Sequence, residues 1–150
     1  GEEALKVSIF LSVFDVHVNR VPASGRIDYV KYNPGKFFAA VKDKASHLNE
    51  QTESGMTSDT GHKIVFKQIA GLIARRIVCK LNDGDDVSAG ERFGMIRFGS
   101  RTELIVPKDS RIEVKVGQHV KGGESLIGYL PSQPSKSDSE SNARGTNIEI

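Results

Sequence analysis

The chain has 150 residues, 37% hydrophobic and 27% charged, the composition of one globular domain long enough to bury a core. A formal net charge of +2 permits contact with an anionic membrane surface but is no footprint for nucleic acid. The lone cysteine, Cys79, excludes an internal disulfide and fits a reducing compartment; no run of about 18 apolar residues could span a bilayer, and no secretory signal is visible. The chain opens Gly1-Glu2-Glu3 without an initiator methionine, which reads as the start of a fragment with any membrane anchor upstream.

Residues 5–19 predict a long β segment rich in Val, Ile and Phe. At period two, Val7, Ile9, Leu11 and Val13 share a face that then presents Asp15, His17 and Asn19, while Phe14, Val16 and Val18 become the apolar side. Such a swap means either a bulge or a site at the polar end. Pro22 to Gly25 predicts a turn, residues 26–31 a short strand, and Asn33-Pro34-Gly35 a second turn. Apolar residues at 37, 41, 45 and 48 have helical spacing and predict one short helix. Residues 49–62 are polar and read as a loop or hairpin connection, and residues 63–66 and 68–81 as strands.

An internal echo follows. Gly84-Asp-Asp-Val87-Ser-Ala-Gly90-Glu91 returns as Gly117-Gln-His-Val120-Lys-Gly-Gly123-Glu124, and each copy runs on to a glycine and an apolar strand. Two copies are too few for a solenoid and predict paired hairpin corners of a small quasi-symmetric β structure, similar to the turns of lipoyl- and biotinyl-type sandwich domains. Residues 132–150 are nearly devoid of apolar side chains and read as a disordered polar tail. The expected fold is mainly β, α+β at most: a single barrel-sandwich-like domain over residues 1–131, with about eight strands.

Two stretches could carry chemistry. Asp15, His17 and Asn19 share a face, and a carboxylate beside an imidazole fixes its tautomer and raises its proton affinity, as a general acid or base requires. An ordinary strand-end histidine explains the same spacing. Gly94-Met95-Ile96-Arg97-Phe98-Gly99-Ser100-Arg101 is a strand broken by Gly-Ser, which is either a bulge with a surface serine or a nucleophile on contorted backbone. Cys79 reads as core, and His47, His62 and His119 lack metal-ligand spacing, so no metal is expected. Arg75-Arg76 suit either an anion or solvent, and Phe37-Phe38 either a lipid interface or the core.

Five segments together carry a resemblance. They are Phe14-Asp15-Val16-His17-Val18-Asn19-Arg20-Val21-Pro22 with Gly25-Arg26-Ile27; Tyr32-Asn33-Pro34-Gly35-Lys36-Phe37; Asp43-Lys44-Ala45-Ser46 with Asn49-Glu50; Gln68-Ile69-Ala70-Gly71-Leu72-Ile73-Ala74-Arg75-Arg76-Ile77; and Gly90-Glu91-Arg92-Phe93-Gly94-Met95-Ile96-Arg97-Phe98-Gly99-Ser100-Arg101. In this order, across residues 5–130, they resemble the phosphatidylserine decarboxylases of the short bacterial and archaeal type. The resemblance implies a zymogen that cuts itself between Gly99 and Ser100 into β and α chains and turns Ser100 into a pyruvoyl cofactor. That group would form a Schiff base with phosphatidylserine or a related serine phospholipid such as archaetidylserine. Loss of carbon dioxide would then yield phosphatidylethanolamine, in phospholipid biosynthesis at the cytoplasmic face of a bacterial membrane. His17 matches the family's proton donor, and Asp15 is read as its orienting partner; Asn19 and Arg20 are candidates for orientation or anion binding. Arg20 stands where some members carry a second histidine, and the maturation aspartate, in an Asp-Gly motif, is expected upstream of residue 1, so the fragment alone is expected to be inactive. Homo-oligomer formation is left open. A non-enzymatic lipoyl- or biotinyl-like module is the alternative, weakened because neither Met56 nor Met95 adjoins a lysine.

Overall fold

A computed structural model describes residues 4–11, 18–35, 49–71, 77–96, 100–121, 125–132 and 147–149. The segment expected to be helical and the positions of Asp15, His17 and Gly99 lie outside these residues. The described residues contain strands and turns only, and all the pairings are antiparallel. The strands are β1 (Ala4–Leu11), β2 (Val18–Arg20), β3 (Gly25–Asn33), β4 (Gln51–Ser58), β5 (Lys63–Ala70), β6 (Ile77–Cys79), β7 (Asp86–Val87), β8 (Arg92–Ile96), β9 (Ser100–Pro107), β10 (Arg111–Ile112), β11 (Leu126–Tyr129) and β12 (Asn147–Glu149). Among the described residues there are twelve strands, several of only two or three residues, where about eight were expected.

Six of them form the main sheet, in the order β1-β9-β5-β4-β3-β7, and two three-stranded sheets, β2-β8-β6 and β10-β11-β12, complete the structure. Register places Val7 opposite Leu104, and Leu104 opposite Phe66. The face that period-two alternation assigned to Val7 and Ile9 is therefore the inner one, and both pack against the core. Phe93 of β8 meets Phe66 edge to face, with centroids 5.1 Å apart, and Ile127 of β11 joins the same core, so both small sheets seal the inner face of the large one.

Residues 51–58 correct the expected loop. Their polar sequence, Gln-Thr-Glu-Ser-Gly-Met-Thr-Ser, forms a strand between β3 and β5. The ladders on both sides satisfy its backbone, and Thr52 donates to Gln68 at 2.6 Å, so tertiary pairing overrides weak strand propensity. The Tyr29 ring lies across Gly55, where an added Cβ would come within 2.1 Å of it. The tail is also corrected in part: Asn147–Glu149 pairs with β11, because that strand otherwise offers an open edge. A β-bulge falls in the β2–β8 pairing, between Asn19 and Arg20.

The echo is structural. Gly84 and Gly117 both turn the chain through positive φ, 90° and 88°. Asp85 N donates to Asn82 O at 3.1 Å while its carboxylate accepts from Asn82 N, and Gln118 repeats both bonds with Lys115. Cys79 pairs with Gly94 as Ile112 pairs with Gly128. Added Cβ atoms on these two glycines would come within 2.1 and 2.2 Å of the Val78 and Arg111 carbonyl oxygens. β2 and β12 then take equivalent places beyond β8 and β11. These are the paired corners that the sequence predicts.

Leu104 is fully buried at the centre of this core. Leu104→Ala is expected to lower unfolding stability by about 3 kcal/mol, read by urea denaturation. Val116→Ala, at a fully exposed turn position, should stay within about 0.5 kcal/mol of the parent.

Candidate functional site

The inner face of the main sheet is apolar along most of its length and turns polar where β9 begins. Ser100, the first residue of β9, is 1% exposed and lies between Leu11 of β1 and Ala70 of β5. Two residues on, Thr102 lies between Ile9 and Gln68. Ser100 and Thr102 share the face of Leu104 by strand alternation, so the polar end is continuous with the core.

Buried amides and hydroxyls knit this end together. Gln68 Nε2 donates to Asn19 Oδ1 at 2.8 Å and to the Val78 carbonyl at 3.1 Å, while Gln68 Oε1 accepts from Thr52. Asn19 Nδ2 reaches Thr102 Oγ1 at 3.4 Å, and Asn49 Nδ2 donates to the Ala70 carbonyl at 2.6 Å. Asn19, Thr52, Gln68 and Thr102 are all buried, and these bonds offset the cost of removing them from water. Gly94 makes room: a side chain there would come within 2.7 Å of Gln68 Nε2.

Of the candidates read from the sequence, Asn19 bonds to Thr102, which lies two residues along β9 from Ser100 on the same face. Arg20 turns elsewhere, donating through Nη1 to the Gly90 carbonyl at 2.9 Å and bracing the first corner. Cys79 is half-buried against the core; burial pushes its thiol up, partly offset by hydrogen bonds from Leu81 and Ser54. His62 ties its turn to the Pro131 carbonyl at 2.6 Å. Gln68, Thr52 and Thr102 were not singled out as site residues. For Gln68 and Thr102 the signal is polarity beside apolar strand residues, most visible for Gln68 at the head of Ile69-Ala70, while Thr52 sits in a polar stretch that gives none.

The other face of β9 carries charge. Arg101 and Glu103, both buried, pair at 3.2 Å, and Lys6 approaches Glu103 at 3.8 Å. The Arg101 guanidinium stacks over the Phe10 ring, 5.4 Å from its centroid. Further across, Glu53 pairs with Lys67 at 3.5 Å and accepts from the Tyr29 hydroxyl at 2.7 Å.

The family model for phosphatidylserine decarboxylase matches residues 1–128. The chain belongs to the phosphatidylserine decarboxylase family. Over 125 residues it is 56% identical to a protein of Rickettsia akari named phosphatidylserine decarboxylase proenzyme, covering 83% of this chain and 54% of that one. A Desulfotalea psychrophila protein of the same name is 48% identical over 128 residues, 85% of this chain and 60% of its own length. The chain thus spans little more than half the length of these relatives. No solved structure matches it. The family match takes in β1 to β10 and most of β11, and so covers the Ser100 region entirely.

Within this decarboxylase-family sheet, Tyr29 offers a pH probe. Burial, reinforced by the Glu53 carboxylate, pushes its hydroxyl up to about 12 from 10.0. The unfolded chain releases that proton first, so the stabilisation is whole below pH 10 and drains away as pH rises towards 12. Urea-unfolding stability should fall through this window, and Tyr29→Phe should lack that part of the slope.

Proposed function

We propose that this chain carries the self-cleaving and proton-donating part of a phosphatidylserine decarboxylase, with Gly99–Ser100 as the bond it cuts. The single observation that carries the reading is a buried serine, at the first position of a central strand, in a chain of this family.

Cleavage begins when Ser100 Oγ attacks the Gly99 carbonyl carbon and the peptide nitrogen leaves it, so an ester replaces the amide. A base then removes the proton on Cα of residue 100, and the ester bond to its β-carbon breaks. Gly99 departs as a carboxylate. The resulting enamine takes up water and releases ammonia, leaving a pyruvoyl group at residue 100. The serine oxygen on the β-carbon serves as both the nucleophile and the leaving group.

The surroundings fit such a group. The described groups near Ser100 on its face, Leu11, Ala70, Thr102, Gln68 and Asn19, are uncharged. An ammonium left there by plain hydrolysis would be costly at 1% exposure, whereas a neutral dicarbonyl of serine's size is not. When present, the pyruvoyl ketone supplies an electron sink for decarboxylation of an amine-bearing substrate, here phosphatidylserine, to phosphatidylethanolamine and carbon dioxide. His17 returns a proton to the carbon that lost the carboxylate, with Asp15 fixing its tautomer. Asn19 steadies the strand that follows His17 through Gln68 and Thr102. A phospholipid substrate favours work at a membrane surface, and in this reading the surface is the cytoplasmic face of a bacterial membrane.

In the intact protein, Ser100→Ala should give a single uncut chain on a denaturing gel and no carbon dioxide from phosphatidylserine vesicles. His17→Ala should still cut, at least in part, and release none. Cleavage persisting in the serine variant would refute the assignment of Ser100; normal turnover in the histidine variant would remove His17 from its role.

A further inference from the structure

Both flanks of the scissile bond seat on one residue. Ile96, the last residue of β8, is fully buried against Ala70, and Ser100, the first of β9, pairs with that same Ala70. Arg97, Phe98 and Gly99 stand between them in sequence, with Ile96 in the small sheet β2-β8-β6 and Ser100 in the main sheet. The relative seating of these two sheets therefore sets the separation of Ile96 and Ser100, the described residues that flank the bond proposed above.

Gln68 bonds to both sheets. It stands two residues from Ala70 and is 1% exposed. Its Nε2 donates to Asn19 on β2 and to the Val78 carbonyl on β6, and its amide lies against Gly94 of β8, so it meets all three strands of the small sheet. Its Oε1 accepts from Thr52 on β4, which anchors the other end in the main sheet. We infer that Gln68 is a positioning residue for self-cleavage, a carboxamide clamp that holds the two sheets in the register at which Ser100 can attack. The inference rests on the proposed function above. An acyl shift is sensitive to placement, and a misplacement of about 1 Å can cost about a hundredfold in rate.

The test follows conversion of newly made intact protein to two chains by pulse-labelling in cell-free synthesis, alongside circular dichroism of the purified products. Gln68→Leu keeps the volume and removes both ends of the clamp; folded protein should cleave about a hundredfold more slowly than the parent. Gln68→Glu gives the readout that lost packing alone would not move. When protonated, its carboxyl can donate to Asn19 and accept from Thr52, whereas the ionised form presents only acceptors to Asn19 Oδ1 and Val78 O; burial raises that carboxyl above the usual carboxylate range, so the loss appears on the alkaline side of the profile. Its rate relative to the parent should recover on acidification. Thr52→Val, which releases only one end, should be slowed severalfold and serves where the Gln68 variants do not fold. Parental cleavage rates in folded variants, or a Gln68→Glu ratio that does not change with pH, would overturn the clamp. A parent that never cuts between Gly99 and Ser100 would instead overturn the proposed function.

Discussion

The arrangement depends on β9 lying in the interior of the main sheet, paired to β1 and β5 from its first residue. Because both neighbours are in register from Ser100 onward, its side chain and backbone are withdrawn from water at the point where the chain enters the sheet. Inner-face residues further along β9, Leu104 and Val106, anchor it in the core, while Arg101 and Glu103 hold its other face. A break just before Ser100 would leave every β9 pairing intact. The new terminus would stay where the preceding chain had put it, so the sheet can act both as the mould for cutting and as the scaffold for whatever chemistry follows.

This setting explains why polar residues gather at one end of an apolar layer. Isolated, each buried amide or hydroxyl would destabilise the sheet; linked as Thr52–Gln68–Asn19–Thr102, they satisfy one another and cross-connect two sheets. Gly94 belongs to the same solution. It lets β8 lie close to the Val78 carbonyl and leaves the space that the Gln68 amide fills. Gly128 repeats the close strand approach, with the Arg111 backbone rather than a side-chain amide nearest to it among the described residues, so the backbone geometry comes from the duplicated corner.

Much of this was legible in the residues. Alternation over Val7 and Ile9 identified the inner face because β1 lies on the core by one side only. The 33-residue echo identified the corners because turn geometry is local: a positive-φ glycine and a side chain that caps its own turn. The Gly99–Ser100 pair stood out as a broken strand but gained a chemical role only through resemblance, since a glycine and a serine in a strand have many ordinary explanations. β4 escaped because hydroxyl-rich sequence looks like a loop until its neighbours are known, and Gln68 escaped because its partners lie 16 and 49 residues away. Arg20, bonded to Gly90, shows the converse: a charged residue beside a recognised motif can serve the scaffold.

The most direct measurement is the mass of the fragment that begins at residue 100 in the mature intact protein. The account predicts a species lighter by one ammonia than the hydrolytic product, with no free α-amine at its first residue. A fragment of hydrolytic mass with an ordinary N-terminal serine, in a preparation that still decarboxylates phosphatidylserine, would contradict it.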